Sequence, residues 1–341
     1  LEALPVTRES DKLVEEHDEF YGVPVVHLGS IDDFRPTTAD EERIYTLAIG
    51  DGMTLSFLVN CQKSVRNEMR AGFHAAKGPS TPDGRYFAPV AISRNSRSPF
   101  VLFSDPTLTL APANRLSWYL GTPAVDPDDW MEAIIRKVMA ASGARYLVLE
   151  GSSAGGFVAM RMGARFRNSI AVPRIPQTDV FRYSIRTPVL ETLRAAWPGM
   201  SYDEIMADFP HRFRIADRYT DPRWNRGNLI SYVHNAGDTW HTVEHLEPFL
   251  AELGESSGAF LALDGRITIS RPYVGDGHIG IPSMCWPGDA EIALARLKAQ
   301  RPLEELEEGE EGMFVPPSGM DRSELAGSAR QDSVAKHFTS F

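Results

Sequence analysis

The sequence predicts an α/β fold built on a mostly parallel sheet with helices on both faces, and three observations carry that prediction. From residue 100 onward, short apolar runs alternate with helical segments, which is the pattern of successive βα units. One run, Tyr146 to Leu149, is continuously apolar, as a strand covered on both faces must be. It leads directly into Gly151-Ser152-Ser153-Ala154-Gly155-Gly156, a glycine-bounded turn, and then into a helical pattern.

The remaining elements follow in order. Residues to about 40 form a polar, acidic segment with one strand-like run, Val23 to Leu28. Ile44 to Ile49 and Thr54 to Asn60 flank Gly50-Asp51-Gly52 and read as a hairpin. Residues 63 to 98, rich in Gly, Pro, Ser and Arg, read as a long loop with a short helix around Arg66 to Ala76. Phe100 to Ser104 is a short buried strand. Asp126 caps a helix with Pro127 in its first turn, apolar spacing through Val138 and Gly143 at its end. Ile170 to Val172 and Leu229 to His234 are further strands, and Ala259 to Ser270 is β structure. Helices cover Pro248 to Leu253 and Ala290 to Lys298. Residues 179 to 226, rich in Arg, aromatics and Pro, read as a lid inserted over the sheet of a domain spanning 41 to 302. Residues 303 to 341 read as an acidic, flexible tail.

Composition bounds the function. The chain has 341 residues, 43% hydrophobic and 24% charged, enough for a large unstapled core. A net charge of −11 argues against nucleic acid as a partner, because phosphate binding needs a basic face. No run of about 18 apolar residues is present, so no membrane-spanning helix is expected. Two cysteines, Cys61 and Cys285, make no disulfide framework and read as small hydrophobes, which fits a cytoplasmic setting. Residue 1 is Leu rather than Met, which leaves a removed signal open. Oligomeric state is not legible.

The turn after Leu149 carries the chemistry. Gly151-Ser152-Ser153-Ala154-Gly155 is G-x-S-x-G between a strand and a helix. A turn that sharp needs small residues two positions either side of the serine. It lifts the Ser153 hydroxyl clear of the sheet and aims the Ala154 amide, at a helix N-terminus, where an oxyanion would form. The competing reading is a plain turn or an anion site; Ser152 is the fallback nucleophile, and the glycine register favours Ser153.

A serine hydroxyl needs a base, and the base needs a carboxylate to fix its tautomer. Asp238 follows a strand in Asn235-Ala236-Gly237-Asp238, and His278 follows β structure in Gly275-Asp276-Gly277-His278. Three motifs at three strand ends, in the order Ser, acid, His, make the triad expectation; Asp276 and Asp264 are alternative acids. A second oxyanion donor is expected after the strand Thr54 to Asn60, from the Cys61 or Gln62 amides, with the loop after Ser104 as competitor. No substrate-binding residues are legible.

His241-Thr242-Val243-Glu244-His245 matches H-x-x-E-H, a zinc-peptidase signature when it lies on one helix. Pro248 argues against one helix through it, and no third ligand stands out. The favoured reading has no metal, with His241 supporting the acid loop.

From about residue 44 to 300 the chain resembles the α/β-hydrolase superfamily, on Gly151 to Gly156, Asp238 and Gly277-His278. The resemblance implies an acyl-serine intermediate, no cofactor, and ester, thioester or amide substrates. Ser104 to Leu108, Trp118-Tyr119-Leu120-Gly121 and Pro176-Gln177-Thr178-Asp179 are similar to hydrolase-like proteins of bacterial surface-polysaccharide biosynthesis. That implies a small-molecule or glycan ester substrate, acted on by a serine hydrolase or acyltransferase. The usual His-Gly oxyanion sequence is missing, which departs from the pattern. The alternative from another class is a non-catalytic module of the same fold that binds or assembles.

Overall fold

Alternation along one strand shows why the predicted sheet must be covered twice. In Tyr146–Ser152, Leu147 and Leu149 face a core with Ile134, Ile135 and Val158, while Tyr146 and Val148 face a second core with Ala293, Leu294 and Leu297. Side chains alternate across a strand, so a strand buried on both faces has no polar phase. The computed structural model describes residues 16–306 apart from 39, 40, 79, 80, 82, 83 and 223. Most of the expected acidic tail, from 307 on, lies outside the described residues, as do the first fifteen residues.

In chain order the strands are β1 (Glu16–Asp18), β2 (Val23–Leu28), β3 (Arg43–Gly50), β4 (Met53–Asn60), β5 (Glu68–Phe73) and β6 (Phe100–Ser104). They continue as β7 (Tyr146–Ser152), β8 (Ser169–Arg174), β9 (Leu229–Val233), β10 (Leu261–Ala262) and β11 (Ile267–Ser270). They form one sheet in the order β1-β2-β3-β4-β6-β5-β7-β8-β9-β11-β10. The run from β6 to β11 is parallel throughout. The expected hairpin is β3–β4, its turn taking positive φ at Gly50, Asp51 and Gly52. Helices Pro127–Ser142 and Ala154–Gly163 pack on one face, and Trp286–Gln300 on the other.

Two expectations are corrected. The stretch read as loop and short helix contains β5, a fully buried strand between β6 and β7. Its sequence, EMRAGF, hides it because Glu68 and Arg70 interrupt the apolar pattern. Both charges are matched. Arg70 donates to Glu150 at 3.2 Å, Glu150 accepts from Arg174 at 3.2 Å, and Glu68 accepts from Ser98 at 3.0 Å and Lys298 at 3.2 Å. Buried charges survive only when paired in this way. The second correction concerns Pro248. The helix begins at Thr239, widens into a π turn over Thr242–Leu246 and continues through Glu247–Glu252. Pro248, which lacks an N–H, follows the wide turn in the next segment without ending the helix.

The insertion between β8 and β9 is helical, with segments Arg186–Ala196, Tyr202–Asp208, Pro210–Phe213 and Ile215–Thr220. Its Trp197, Phe209, Arg212, Arg218 and Tyr219 are buried within the protein rather than presented to a substrate.

Candidate active site

The turn after β7 is forced by backbone crowding. A Cβ on Gly151 would lie 2.2 Å from the backbone of Gly155, and one on Gly155 would lie 2.2 Å from the carbonyl of Phe73. Only glycine fits where backbones approach this closely. Ser153 sits at the apex with φ 54° and ψ −119°, a conformation that a non-glycine residue holds only when its surroundings impose it. Its N–H donates to the Arg174 carbonyl at 2.9 Å, anchoring the turn to β8. Ala154 opens the following helix, so its N–H has no acceptor within that helix.

Two later loops converge on this serine. Asp238, buried, caps the helix that starts at Thr239; its Oδ1 accepts the His241 backbone N–H at 3.0 Å. His278 donates from Nδ1 to Asp238 Oδ2 at 2.7 Å, and its Nε2 lies 3.3 Å from Ser153 Oγ. The two loops are tied by Asn235, which is fully buried. Its amide donates to the carbonyls of Gly275 at 2.9 Å and Gly277 at 3.0 Å, and its Oδ1 accepts from Gly237 and Val274 at 3.1 Å each. The structure therefore brings Ser153, Asp238 and His278 to one rim of the sheet. The alternative acid Asp276 turns to the Tyr273 hydroxyl, which donates to it at 3.0 Å.

Sequence reasoning gave a supporting role to His241 and none to Gln177. His241 is buried and donates from Nδ1 to Asp238 Oδ1 at 3.2 Å, so Asp238 carries two imidazoles. The two rings stack, 3.8 Å between centroids and 9° from parallel. Gln177 follows β8 and is fully buried; its Nε2 donates to Ser153 Oγ at 2.8 Å and lies 3.0 Å from His241 Nε2. Its Oε1 accepts from Trp118 Nε1 at 3.3 Å. The available signal was a polar Gln directly after an apolar strand.

Burial works against ionisation of Asp238, but the hydrogen bonds from His241 and His278 outweigh it and hold the carboxyl well below the usual carboxylate range. Burial pushes His241 down, and pushes His234 down to about 4 and His245 down to about 3. These rings are neutral at pH 7.

The expectation for the second oxyanion donor is corrected by the strand order. Asn60 pairs with Phe100, Phe100 with Arg70 and Arg70 with Val148, whereas the turn begins at Gly151. Cys61 and Gln62 therefore emerge at the opposite edge of the sheet, roughly 10 Å or more away at ~3.3 Å per residue. Cys61 Sγ there faces the Val138 carbonyl at 3.9 Å, and the Gln62 amide donates to Asn60 at 3.2 Å. The strand that ends beside the serine turn is β5, where Phe73 pairs with Gly151. Its continuation is His74-Ala75. The buried His74 ring donates to the Ala75 carbonyl at 2.6 Å and accepts the Asp105 N–H at 3.0 Å, which fixes this loop and ties it to the one after Ser104.

His241 and His245 do share a helix, yet they face different partners. His245 Nδ1 accepts the Thr178 N–H at 3.3 Å, and Glu244 pairs with Arg182 at 3.6 Å. Among the described residues, the one cluster whose ligand atoms fall within 4.8 Å of one another is Asp238, His241 and His278, all members of the hydrogen-bonded site just described.

No family model and no curated protein matches the chain. Solved structures do. The capsule O-acetyltransferase of Neisseria meningitidis serogroup A superposes with a TM-score of 0.52 at 17% identity, over 83% of this chain and 98% of that one. A histidine-to-alanine mutant of that enzyme in complex with CoA gives 0.51 at 18% identity, over 74% and 94%. Carboxyl esterase 2 of the mycorrhizal fungus Tuber melanosporum gives 0.44 at 15% identity, over 81% and 91%. At these identities the likeness concerns architecture, and the architecture of this chain is the α/β-hydrolase fold.

Proposed function

We propose that the protein is a serine-dependent acyl-transfer enzyme acting on an ester-type substrate, with an acylated glycan or a glycan hydroxyl as one reacting partner. The carrying observation is His278, whose ring spans Asp238 at 2.7 Å and Ser153 at 3.3 Å while Ser153 sits strained at a helix N-terminus. In this reading Ser153 Oγ attacks an acyl carbonyl and its proton passes to His278 Nε2. The Ala154 amide receives the developing oxyanion, and the Ala75 amide is the second donor in place of Cys61 or Gln62. The leaving alcohol or thiol takes the proton back, leaving an acyl-serine ester. Water or a sugar hydroxyl then gives its proton to His278 and attacks that ester, and His278 passes the proton to the departing Ser153 Oγ as acid or a new ester is released. The glycan and thioester parts of the reading draw support from the fold neighbours, an O-acetyltransferase of a capsule and its CoA complex.

The test is covalent labelling with a fluorophosphonate. The wild type labels, Ser153→Ala does not, and chelation by EDTA changes nothing. An unlabelled wild type would favour a non-catalytic module, and loss of labelling on chelation would favour zinc. A panel of acetylated sugars, simple acyl esters and acetyl-CoA then assigns donor and acceptor.

A further inference from the structure

Trp118 fixes the protons of this site. An indole N–H donates and cannot accept, so the Gln177 atom facing Trp118 Nε1 at 3.3 Å is the oxygen. The Gln177 nitrogen therefore faces both Ser153 Oγ at 2.8 Å and His241 Nε2 at 3.0 Å, as a donor to each. His241 Nε2 must then accept, which leaves its proton on Nδ1, where it is donated to Asp238 Oδ1 at 3.2 Å. Ser153 Oγ already accepts from Gln177, so its own hydrogen is free for His278 Nε2 at 3.3 Å. One donor-only atom thus determines the proton positions of Gln177, His241, Ser153 and His278.

We infer that His241 and Gln177 form a second arm of the catalytic site: Gln177 holds the serine oxygen, and His241 is a positioning residue that shares the Asp238 carboxylate with His278. The inference rests on Ser153 being the nucleophile and adds a division of charge. The Asp238 carboxylate receives two imidazole N–H groups, His278 on Oδ2 and His241 on Oδ1, so neither ring draws on its full negative charge. With His241 in place, the His278 imidazolium gains less from Asp238 than it would alone, so removing the His241 N–H favours that imidazolium. The neutral His241 ring, stacked at 3.8 Å, still offers its face to that imidazolium as it forms. The other titratable groups around this arm are His245, whose ring centroid lies 4.9 Å from that of His241, and His234, whose Nε2 meets Thr242 Oγ1 at 2.8 Å. Arg271 lies near His234, and the Arg182–Glu244 pair lies on the outer side of the helix.

The experiment is the pH dependence of the fluorophosphonate labelling rate. His241→Phe keeps a stacked ring and removes the N–H to Asp238, so the acid limb should move up by on the order of half a pH unit. His241→Asn returns an N–H near the Nδ1 position and should bring the limb back toward wild type. Gln177→Leu should slow labelling about tenfold, one hydrogen bond's worth, without moving the limb. A limb that stays put in His241→Phe overturns the inference while leaving the nucleophile intact; an unlabelled wild type overturns both. If His241→Phe does not fold, proton NMR of the wild type decides. Two far-downfield imidazole N–H resonances, one removed by His278→Ala, support the shared carboxylate, and a single resonance overturns it.

Discussion

Asp238→Asn is the sharpest perturbation of the proposed mechanism, because the structure dictates which way the new amide must turn. Oδ1 of Asp238 accepts the backbone N–H of His241 at 3.0 Å, and a backbone amide cannot accept in return. The asparagine oxygen must stay there, so its nitrogen takes the place of Oδ2. That nitrogen then points a hydrogen at His278 Nδ1, now 2.7 Å from Oδ2, while His241 Nδ1 keeps its bond to the retained oxygen at 3.2 Å. The His278 ring must answer with a lone pair, which moves its proton to Nε2. His278 then presents an N–H to Ser153 and cannot take its proton. The side chain keeps its volume, so the fold survives. Loss of the correct tautomer in a serine triad costs about 10⁴ in rate, equivalent to about 5.5 kcal/mol of transition-state stabilisation. The assay is the fluorophosphonate labelling rate beside turnover of an acetyl ester, with circular dichroism melting as the check on folding. A folded Asp238→Asn variant that labels within tenfold of wild type would refute the assignment of His278 as base through Asp238.

Three further outcomes are expected. Gly155→Ala places a methyl 2.2 Å from the Phe73 carbonyl, so β5 or the serine turn must shift; stability should fall by about 3 kcal/mol or more, and labelling should be lost even below the melting temperature. A melting temperature within about 2 °C of wild type, roughly 1 kcal/mol, would contradict that crowding. Asp128→Ala removes a buried carboxylate that accepts from Arg161 at 2.8 Å and Arg218 at 3.1 Å, and should cost about 3–5 kcal/mol in urea unfolding. A loss under about 1 kcal/mol would mean those guanidinium groups find other compensation. Finally, burial holds His211 down to about 2, His245 to about 3 and His234 to about 4, so these rings are neutral in the folded chain. The unfolded chain protonates them below about 6.5, so each withdraws on the order of 1.4 kcal/mol of stability per pH unit as pH falls below that value. Stability should be full above pH 7 and decline steeply toward pH 5; a flat melting temperature across that window would show that these rings protonate in place.

How legible was this in the sequence? Strands whose neighbours cover both faces, such as β7, announce themselves as unbroken apolar runs, and the serine turn announces itself through Gly151 and Gly155. The strand β5 did not, because Glu68 and Arg70 satisfy their charges through partners as distant in sequence as Glu150 and Lys298. Missing that strand misplaced the oxyanion loop. With β5 between β6 and β7, the strand that ends beside the serine turn is β5, and Cys61 and Gln62 lie at the far edge. Asn235, Gln177 and Trp118 were visible only as letters in longer motifs. Their roles depend on hydrogen bonds between loops 40 to 59 residues apart, and no local pattern encodes such pairings.

The inserted segment is better understood as a clamp than as a reading surface for substrate. Trp118 and Tyr119 both adopt positive φ, at 51° and 54°, a costly conformation for bulky residues. What holds them is Arg161, on the helix that Ser153 begins: its guanidinium donates to the Trp118 carbonyl at 3.2 Å and the Tyr119 carbonyl at 2.9 Å. Arg161 is in turn fixed by Asp128 and by the Arg212 carbonyl of the insertion, while Arg212 itself donates to the carbonyls of Leu120 and Thr122. Buried arginines in this segment therefore satisfy carbonyls that a strained turn would otherwise leave unpaired. The turn they stabilise delivers the Trp118 N–H to Gln177, and Gln177 delivers its own to Ser153. A substitution in the insertion is thereby coupled to the rotamer of Ser153 through a chain of buried donors.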